Sequence, residues 1–442
     1  MKAPKVTDHF DVIVVGAGPA GSAAALASAR AGLTVLLIER GEYPGAKNVS
    51  GAAFYGSAIL NKLIPNWWEQ APVERYICRR DLLLMSPTTA VSLDFRSASP
   101  AYVEPPFNAF TILRPKFDRW FAGQAEAAGA FLLTSTVVDN LIIERGQVVG
   151  VKVRREEGEI RANVVIACDG VNSFLAQRAG LQRRLKTHEL SLGVKEVLGL
   201  DEEIIRERFH LSGNEGMVLE YVGAVTENVR GGAFLYTNRN SLSLGVIGQV
   251  SSLVEAKKRP YDILETFKAH PAVAPLVRGA KLREYSAHLI PESGWHMMPK
   301  LVASGMLVAG DAAGFCLATG LYIEGINYAM QSGLAAAEAA IEAHRLRDFT
   351  RETLSRYTEL LWPYNVFTDF RAYRHAPHLI NSERVQNLYP EMLAQGFERL
   401  FQVDGKPKQK LVPLSFRRLR QFKTKPRHLL SDLYHAARSY LW

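Results

Sequence analysis

The sequence has few cysteines, and none lies in a spacing that binds metal. Among 442 residues there are three, Cys78, Cys168 and Cys316, with no C-x-x-C pair. A structural zinc or an iron–sulfur cluster needs several clustered ligands, so isolated thiols exclude both from this chain. We therefore predict reduced cysteines, as in the cytosol, and no metal site. Cys168 and Cys316 are interpreted as small packing residues.

The sequence also lacks a hydrophobic run long enough to cross a bilayer. The most apolar stretches, residues 11–38 and 305–323, are interrupted by glycine, Arg30 or Asp311, whereas a spanning helix needs about 20 consecutive apolar residues. The segment MKAPKVTDHF has no apolar core of a secretory signal, so we expect a cytoplasmic location. The chain is long enough for two or three subdomains around a large core.

Positive charge is concentrated near the C-terminus. Residues 345–442 contain 18 Lys and Arg against 9 Asp and Glu, whereas the first 344 residues are balanced. The formal net charge of +9 therefore comes from the last part of the chain. Such an excess indicates an anionic surface or partner rather than a particular fold. No nucleic-acid partner is predicted.

Residues 11–21, DVIVVGAGPAG, form a dinucleotide-binding fingerprint with the G-x-G-x-x-G spacing after an apolar strand. The first glycine permits a tight turn, and the second lets a pyrophosphate approach the backbone. The third lets the next helix lie close to the strand with its N-terminal N–H groups aimed at phosphate. The cofactor-binding residues predicted in this segment are Gly16, Gly18, Pro19, Ala20 and Gly21.

A second strand, LTVLLIER, ends at Glu39 and Arg40, 23 and 24 residues after the first glycine of the fingerprint. A carboxylate at the end of this strand can accept hydrogen bonds from both hydroxyls of an adenosine ribose. With strand, helix, second strand and terminal acid in register, the segment predicts a dinucleotide site. Glu39 and Arg40 are predicted to belong to it.

Two later motifs favour FAD over NAD as the dinucleotide. Residues 164–173, VVIACDGVNS, are an apolar strand that breaks at Asp169 and Gly170, and residues 305–314, GMLVAGDAAG, break at Gly310 and Asp311. Both motifs follow the N-terminal βαβ unit in the chain. No second glycine fingerprint follows a strand, so no dedicated NAD(P)H domain is predicted.

With these motifs the chain resembles the glutathione-reductase-type FAD fold, in the branch of aromatic hydroxylases, geranylgeranyl reductases and electron-transfer-flavoprotein:quinone oxidoreductases. The resemblance implies an α/β chain with a Rossmann-like FAD-binding domain of the three-layer ββα type. It also implies an inserted antiparallel α+β substrate domain and a helical, basic C-terminal region. The predicted FAD-binding segments are 1–75, 110–175 and 285–345; the substrate or quinone side is 76–109 and 176–284; and residues 346–442 face a partner or a membrane.

The same resemblance assigns further cofactor-binding residues. Asp311 matches the aspartate that binds the ribityl chain, Arg114 matches the arginine facing the phosphates, and the backbone of Val137 or Val138 matches the strand under the adenine. Residues 319–327 match the glycine-rich segment at the flavin N1/C2 edge, where positive potential stabilises the anionic reduced flavin. Its predicted contacts are Gly325, Ile326 and Asn327. The helix that follows is predicted over residues 324–347.

Two segments resemble FixC-type electron-transfer-flavoprotein:quinone oxidoreductases in particular. One is the K-N-V-S-G stretch that begins at Lys47, and the other is residues 388–411, with a V-D-G-x-P-K turn at residues 403–408. The first of these segments adds the predicted flavin contacts Lys47, Asn48, Val49 and Ser50.

This resemblance implies an electron-transfer flavoprotein heterodimer as electron donor and a membrane quinone as acceptor. It places a [4Fe–4S] cluster on a separate ferredoxin-like subunit, because this chain lacks the four cysteines of the single-chain relatives. The protein is then peripheral to the inner face of the cell membrane. The resemblance leaves open whether the quinone is ubiquinone or menaquinone, and whether the complex bifurcates electrons.

No side chain is predicted to be catalytic, because the flavin itself carries the chemistry. His288 and His296 are weak candidates for delivering a proton to a quinone, with a structural loop role favoured for both. Glu324 is interpreted as the favourable negative charge at a helix N-terminus.

Two other flavoenzyme classes are considered beside the quinone oxidoreductase. A prenyl-lipid reductase of the geranylgeranyl type is disfavoured because residues 232–237, GAFLYT, lack the family's Y-x-W-x-F-P motif. A flavin-dependent monooxygenase is the second alternative, and it would need direct reduction by NAD(P)H. A subunit that uses FAD only structurally predicts no redox cycling at all.

The end of the chain predicts an amphipathic helix. Residues 414–428 alternate cations with Leu and Phe, and residues 429–442 place apolar side chains at helical spacing. Such a helix fits a membrane interface, with its cations near anionic lipid. A solvated helix packed on its own protein or on a partner subunit is nearly as well supported, and the long prenyl tail of a quinone slightly favours the membrane.

Overall fold

The computed structural model describes residues 9–47, 51–154, 158–292, 294–320, 322–407 and 425–441. These residues form two large β-sheets, a short two-stranded ribbon and a helical C-terminal region. The ribbon pairs Leu317–Ala318 with Ile323–Glu324.

The first sheet is built on the predicted βαβ unit. His9–Val15 pairs in parallel with Val35–Ile38 on one side and with Glu159–Ala167 on the other. These strands are apolar runs buried on both faces, which is the pattern of a parallel sheet covered by helices. From edge to edge the strands are Val302–Ala303, Met306–Val308, Glu159–Ala167, His9–Val15, Val35–Ile38 and Phe131–Leu133, and the antiparallel pair Val138–Glu144 and Gln147–Val153 joins at Glu159–Ala167.

Two helices rich in alanine pack against each other beside this sheet. They are Pro19–Arg30 and Ile326–Leu346, and the second confirms the helix predicted over residues 324–347. Their small side chains let the two backbones come close. At Gly333 the approach is closest, because a Cβ built there would lie 2.1 Å from the carbonyl oxygen of Ala20. A third helix, Arg114–Ala127, also contacts Pro19–Arg30.

The second sheet is mixed, and the prediction of an antiparallel inserted sheet is wrong at one pair of strands. Glu215–Gly223 pairs in parallel with Val73–Met85 over nine positions. The strands lie far apart in sequence, and no hairpin turn constrains them to antiparallel pairing. From edge to edge the order is Lys281–Pro291, Leu190–Gly199, Ser241–Gln249, Gly231–Thr237, Glu215–Gly223, Val73–Met85, Phe110–Ile112 and Ala52–Phe54, with Ala90–Arg96 also paired to Val73–Met85.

Strand pairing differs from the predicted segments at three places. Ala52–Phe54, Phe110–Ile112 and most of Lys281–Pro291 fall in the segments predicted for FAD binding, yet all three strands belong to the second sheet. Phe110–Ile112 and Lys281–Pro291 lie at the start of predicted segments, whereas Ala52–Phe54 lies inside the first one. The division of the chain into domains stays a prediction, but these pairings move its natural boundaries.

The outer face of the second sheet carries its own hydrophobic core. Helices Glu202–Phe209 and Pro260–Ala269 cover this face with Ile205, Phe209 and Phe267. Other helices of the body are Ser57–Leu63, Pro100–Val103, Phe174–Arg178, Val250–Ala256 and Ala274–Val277.

The C-terminal region is helical, as predicted. Its helices are Arg351–Leu354, Arg356–Leu360, Val366–Ala372, Ala376–Ile380, Tyr389–Phe401 and Pro426–Tyr440, with a π-helix at Arg384–Leu388. Of the cationic segment predicted before the last helix, residues 414–424 lie outside the described residues. Within the part of the chain that is described, no helix combines the length and the apolar character needed to span a bilayer.

The close packing of the two alanine-rich helices makes a prediction about stability. Gly333→Ala places a Cβ against the backbone of Ala20 and should lower the free energy of unfolding by about 1–3 kcal/mol through overpacking. Gly123→Ala, in the middle of helix Arg114–Ala127, meets nothing within 4 Å and should raise it by about 0.5–1 kcal/mol through helix propensity. Thermal melts of the two variants should shift in opposite directions. Equal shifts would contradict this packing.

Candidate cofactor cleft

A single long cleft lies between the two sheets. On one side, the carboxyl ends of the parallel strands supply Val15, Ile38 and Ala309. The second sheet supplies the facing wall. Ligands of open α/β sheets bind at the carboxyl ends of the strands, so this is the expected place for a dinucleotide.

The three glycines of the fingerprint have different roles. Gly16 has φ +103°, and a Cβ there would lie 2.3 Å from the carbonyl oxygen of Cys168. A Cβ on Gly21 would lie 1.8 Å from the carbonyl oxygen of Gly16, so these two positions need glycine for the turn itself. At Gly18 the nearest atom is Nη2 of Arg114 at 3.9 Å, and the space in front of it is the cleft.

Glu39 stabilises the glycine turn. Its Oε2 accepts a hydrogen bond from Ala17 N at 3.0 Å, and its Oε1 accepts one from Gly41 N at 2.7 Å. The side chain is buried, yet Glu39 also lines the cleft. Each carboxylate oxygen has a second lone pair, so these bonds leave acceptors for the hydroxyls of a bound ribose. The carboxylate therefore has a structural role beside the predicted binding role.

Arg114 is held in place by a bidentate ion pair. Its Nε and Nη2 each donate to Asp118 at 2.8 Å, one turn further along the same helix, and Asp118 is fully buried. A guanidinium fixed in this way has little rotamer entropy left to lose when it meets an anion. Its Nη2 lies 3.9 Å from the position of a Cβ on Gly18, where the fingerprint predicts the pyrophosphate.

Two aspartates lie at the centre of the cleft. Asp169 Oδ2 accepts a hydrogen bond from Leu175 N at 3.0 Å, while its buried Oδ1 has no hydrogen-bond partner among the described residues. Burial raises the pKa of Asp169 to about 6. Burial also raises the pKa of Asp311, against the opposing effect of Arg114. An unsatisfied buried oxygen is costly and marks a position where a ligand hydroxyl would be stabilising.

The structure brings together most of the residues predicted from sequence. Those that line this cleft are Gly16, Gly18, Pro19, Ala20, Glu39, Arg40, Lys47, Arg114, Val137, Val138, Asp169, Gly170, Gly310, Asp311, Gly325 and Ile326. Gly21 packs behind the turn instead, and Asn327 donates from its amide nitrogen to Glu324 at 2.8 Å. Asn48, Val49 and Ser50 lie outside the described residues.

The two candidate histidines are separated. His288 lines the cleft, whereas His296 is exposed in the short turn Trp295–Met297 and does not line it. Burial, with the positive charges of Arg114, Arg40 and Lys195, lowers the pKa of His288 to about 4. His288 is therefore neutral near pH 7, which argues against a protonated imidazole as the proton donor there.

Sequence reasoning missed the residues of the second sheet that face the cleft. Phe234 and Tyr236 lie side by side on strand Gly231–Thr237 with stacked rings, 4.7 Å between centroids, and both line the cleft. Lys195, on strand Leu190–Gly199, is buried in the same wall. The signal was present as a cation inside the apolar run LSLGVKEVL, but the sequence does not tell which face of the sheet meets the cleft.

Comparison with known proteins identifies the family. Residues 11–196 match the FAD dependent oxidoreductase family, and residues 375–441 match the ETF-QO/FixC family C-terminal domain. Protein FixC of Salmonella typhi is 44% identical over 399 residues, which cover 90% of this chain and 92% of that protein. This chain belongs to the FixC/ETF-QO family. The resemblance to FixC-type proteins noted in the sequence is therefore confirmed.

Other members and a solved structure agree. Protein FixC of Bradyrhizobium diazoefficiens is 40% identical over 442 residues, covering 98% of this chain and all of that protein. The probable electron transfer flavoprotein-quinone oxidoreductase YdiS of Escherichia coli is 42% identical over 402 residues, covering 91% of this chain and 92% of that protein. A geranylgeranyl bacteriochlorophyll reductase-like structure from Thermoplasma acidophilum, 20% identical, superposes with a TM-score of 0.70 over 94% of this chain and 98% of that one. The α/β fold class is confirmed, and the protein is an FAD-dependent oxidoreductase.

The residues of the cleft fit FAD. Gly18 leaves open the space that a pyrophosphate needs, and the Arg114 guanidinium supplies positive charge opposite it. The unsatisfied Oδ1 of Asp169 matches a polyhydroxylated ligand. Among the described residues, no group of three or more His, Cys, Asp or Glu side chains is placed to hold a metal ion.

The open space at Gly18 makes a prediction about cofactor content. Gly18→Val should fold, because its side chain meets no protein atom closer than 3.9 Å at Cβ, but it should fill the space of the pyrophosphate. The purified variant should therefore lack the visible absorbance of bound flavin. Ala31→Val, at the exposed end of the same helix, is the matched control and should keep it. Full flavin content in Gly18→Val would contradict this placement of the pyrophosphate.

Proposed function

We propose that this protein passes electrons from a reduced electron-transfer flavoprotein heterodimer to a membrane quinone. In this proposal a separate ferredoxin-like subunit carries a [4Fe–4S] cluster, and the protein works at the inner face of the cell membrane. The family supports the proposal through the relative named as a probable electron transfer flavoprotein-quinone oxidoreductase. One structural observation carries the proposal. The last helix, Pro426–Tyr440, turns an apolar face away from the protein, and it lies near a cleft that is lined by the rings of Phe234 and Tyr236.

FAD bound in the cleft would accept electrons singly or in pairs and release them to a second substrate. Gly18, Arg114 and Asp169 would hold the cofactor in the cleft, whose facing wall is the second sheet. The quinone gains two electrons and two protons and leaves as the quinol. No side chain has to form a covalent bond in this reaction.

The aromatic wall suits a flat acceptor. Phe234 and Tyr236 present stacked rings to the cleft with an interplanar angle of 21°. A quinone ring can pack against such a surface by the offset stacking that aromatic groups prefer. The lipid-reductase motif with tryptophan and proline is absent from this strand, as the sequence shows.

The C-terminal helix has its polar side turned inward and its apolar side turned outward. Asp432 accepts from Arg384 Nε and Nη2 at 2.7 Å, and it accepts from Tyr389 Oη at 2.7 Å. The ring of His435 stacks on His378 with centroids 4.4 Å apart. The exposed large apolar side chains of this helix and of the residue after it are Leu429, Leu430, Leu433, Tyr434, Tyr440 and Leu441. A soluble surface helix would show the opposite arrangement, so the outward face fits an apolar environment.

The neighbouring helix also exposes large apolar side chains. Tyr389–Phe401 buries Pro390 and Ala394 and exposes Leu393, Phe397, Leu400 and Phe401. The two helices meet where Tyr389 contacts Asp432. Exposed apolar surface of this extent marks an interaction site. The excess of Lys and Arg in the last part of the chain favours an anionic lipid surface as what meets it.

The outward helix is connected to the cleft. Tyr440 donates from its hydroxyl to the carbonyl oxygen of Thr319, next to the ribbon that contains Ile323. Ile323 lines the cleft. A quinone with a prenyl tail in the bilayer would therefore meet the cleft close to the surface that contacts the lipid.

The electron source is tested by reduction of the purified holoprotein. Without a dedicated nicotinamide domain, the bound flavin should bleach slowly or not at all with NADH or NADPH. It should bleach readily with reduced electron-transfer flavoprotein, directly or through the iron–sulfur subunit. Stopped-flow absorbance measures both rates. Rapid bleaching by NADH alone would contradict the proposal and support a monooxygenase.

Membrane contact is tested by changing the outward face. Leu430→Gln with Leu433→Gln removes two exposed leucines without touching Asp432, whereas deleting residues 412–442 would also remove the inward contacts. Burying each leucine in lipid is worth about 1.5–3 kcal/mol, so vesicle binding should weaken more than tenfold. Flotation with anionic vesicles measures this, and reduction of a water-soluble short-chain quinone should persist.

Leu282→Gln, an equally exposed leucine on strand Lys281–Pro291, is the matched control and should leave vesicle binding unchanged. If the double variant binds vesicles like the unchanged protein, the helix does not meet the membrane. Loss of a copurifying subunit in that case would identify the outward face as a partner contact.

A further inference from the structure

Lys195 is a buried cation in the wall of the cleft. It lies on strand Leu190–Gly199 with a relative exposure of 9%, and its neighbours along the strand show how it comes to be there. Glu196 points to the other face, where both its oxygens accept from Lys268 of helix Pro260–Ala269 at 3.0 Å. Because side chains alternate along a strand, Lys195 must point into the cleft.

The ammonium group of Lys195 has no ion-pair partner among the described residues. It donates a hydrogen bond to the carbonyl oxygen of Gly51, and it lies 5.2 Å from the centre of the Phe234 ring. Its cross-strand neighbours are Gly245, which offers no side chain, and Ser286, which carries no charge. A buried ammonium satisfied by one carbonyl oxygen and a ring face is poorly compensated for the loss of water.

The two charged groups that act on Lys195 have opposite signs. Arg114 and the neutral His288 share the cleft with it, and Glu284, on the neighbouring strand, favours its charged form without a salt bridge. Burial and the Arg114 guanidinium lower the pKa of Lys195 to about 7. The cleft therefore contains an amine that is close to its pKa at neutral pH, so a new negative charge nearby would make it take up a proton.

We propose that Lys195 takes up a proton whenever FAD in this cleft is reduced. Two-electron reduction with one proton on the cofactor adds one negative charge to the cleft. The second proton, from water, forms an N–H bond at Nζ of Lys195, so the net charge of the cleft does not change. The electrons come from the reductant, in the cell the electron-transfer flavoprotein of the proposed function, on whose FAD site this inference rests.

In this role Lys195 is not a catalytic residue. Its protonation offsets the negative charge that reduction adds to the cleft. Its proton compensates the reduced state, which makes the cofactor easier to reduce at alkaline pH than it would be beside a neutral side chain. It also makes reduction depend more steeply on pH. Below the pKa of Lys195 the amine is already protonated before reduction, and this extra dependence disappears.

The test is potentiometric and uses the holoprotein with an electrode and mediators only. Between about pH 7 and about pH 9 the unchanged protein should take up two protons for every two electrons. Lys195→Met should take up one, so the slope of its midpoint potential against pH should fall by half. A pH indicator in weak buffer counts the protons directly. Lys281→Met, an exposed lysine in the same sheet, is the control and should leave the slope unchanged.

Lys195→Arg separates charge from titration. Arginine keeps a positive charge throughout this pH range, so the slope should again fall by half, while the potential at about pH 9 stays above that of Lys195→Met. If Lys195→Met fails to retain FAD, the arginine variant decides the question alone. Two protons per two electrons in either lysine variant, or one in the unchanged protein, would overturn the proposal.

These results are independent of the electron donor and acceptor. If the slope of the midpoint potential against pH is unchanged in the variants, the proposed role of Lys195 is wrong, while the quinone proposal is unaffected. If the slopes are as expected but the electron-transfer flavoprotein does not reduce the holoprotein, the proposed electron donor is wrong, while the role of Lys195 is supported.

Discussion

The close approach of backbone to backbone at Gly16 is the constraint on which the rest of the structure depends. At this turn Gly16 N donates to the carbonyl oxygen of Ile38 at 2.7 Å, and Cys168 N donates to Val15 at 2.9 Å. Glu39 accepts from Ala17 N in the same place. Three segments that are far apart in the chain therefore meet within one turn. Any side chain on Gly16 would push these segments apart and so disrupt the cleft that they form.

The electrostatics of the cleft follow from this convergence. The turn places Gly18 opposite the fixed guanidinium of Arg114, and the second sheet adds Lys195 from the other wall. Buried carboxyl groups on Asp169 and Asp311 have raised pKa values, so negative charge in the cleft is already costly without the cofactor. A dianionic pyrophosphate brings negative charge, and the guanidinium of Arg114 is placed to compensate it. In our proposal Lys195 compensates the further negative charge of the reduced flavin.

The last helix of the C-terminal region is attached to the protein through polar contacts at Asp432 and His435, while the leucines of the same helix face outward. Polar anchoring leaves the apolar face exposed, and the Tyr440 hydroxyl connects the same helix to Thr319, next to the short ribbon. In the proposed function, this contact would bring a lipid-soluble acceptor close to the cleft.

The sequence by itself determined the cofactor turn, the first βαβ unit and the helix of residues 326–346, because each depends on neighbours within about 30 residues. Glycine spacing, the acid at Glu39 and alanine periodicity are local signals. Only the tertiary structure decided that Glu215–Gly223 runs parallel to Val73–Met85, since the strands lie more than 100 residues apart. It also decided that Lys195 faces the cleft and that the leucines of the last helix face outward. Periodicity shows that a strand or helix has two faces, but only packing decides which face is covered.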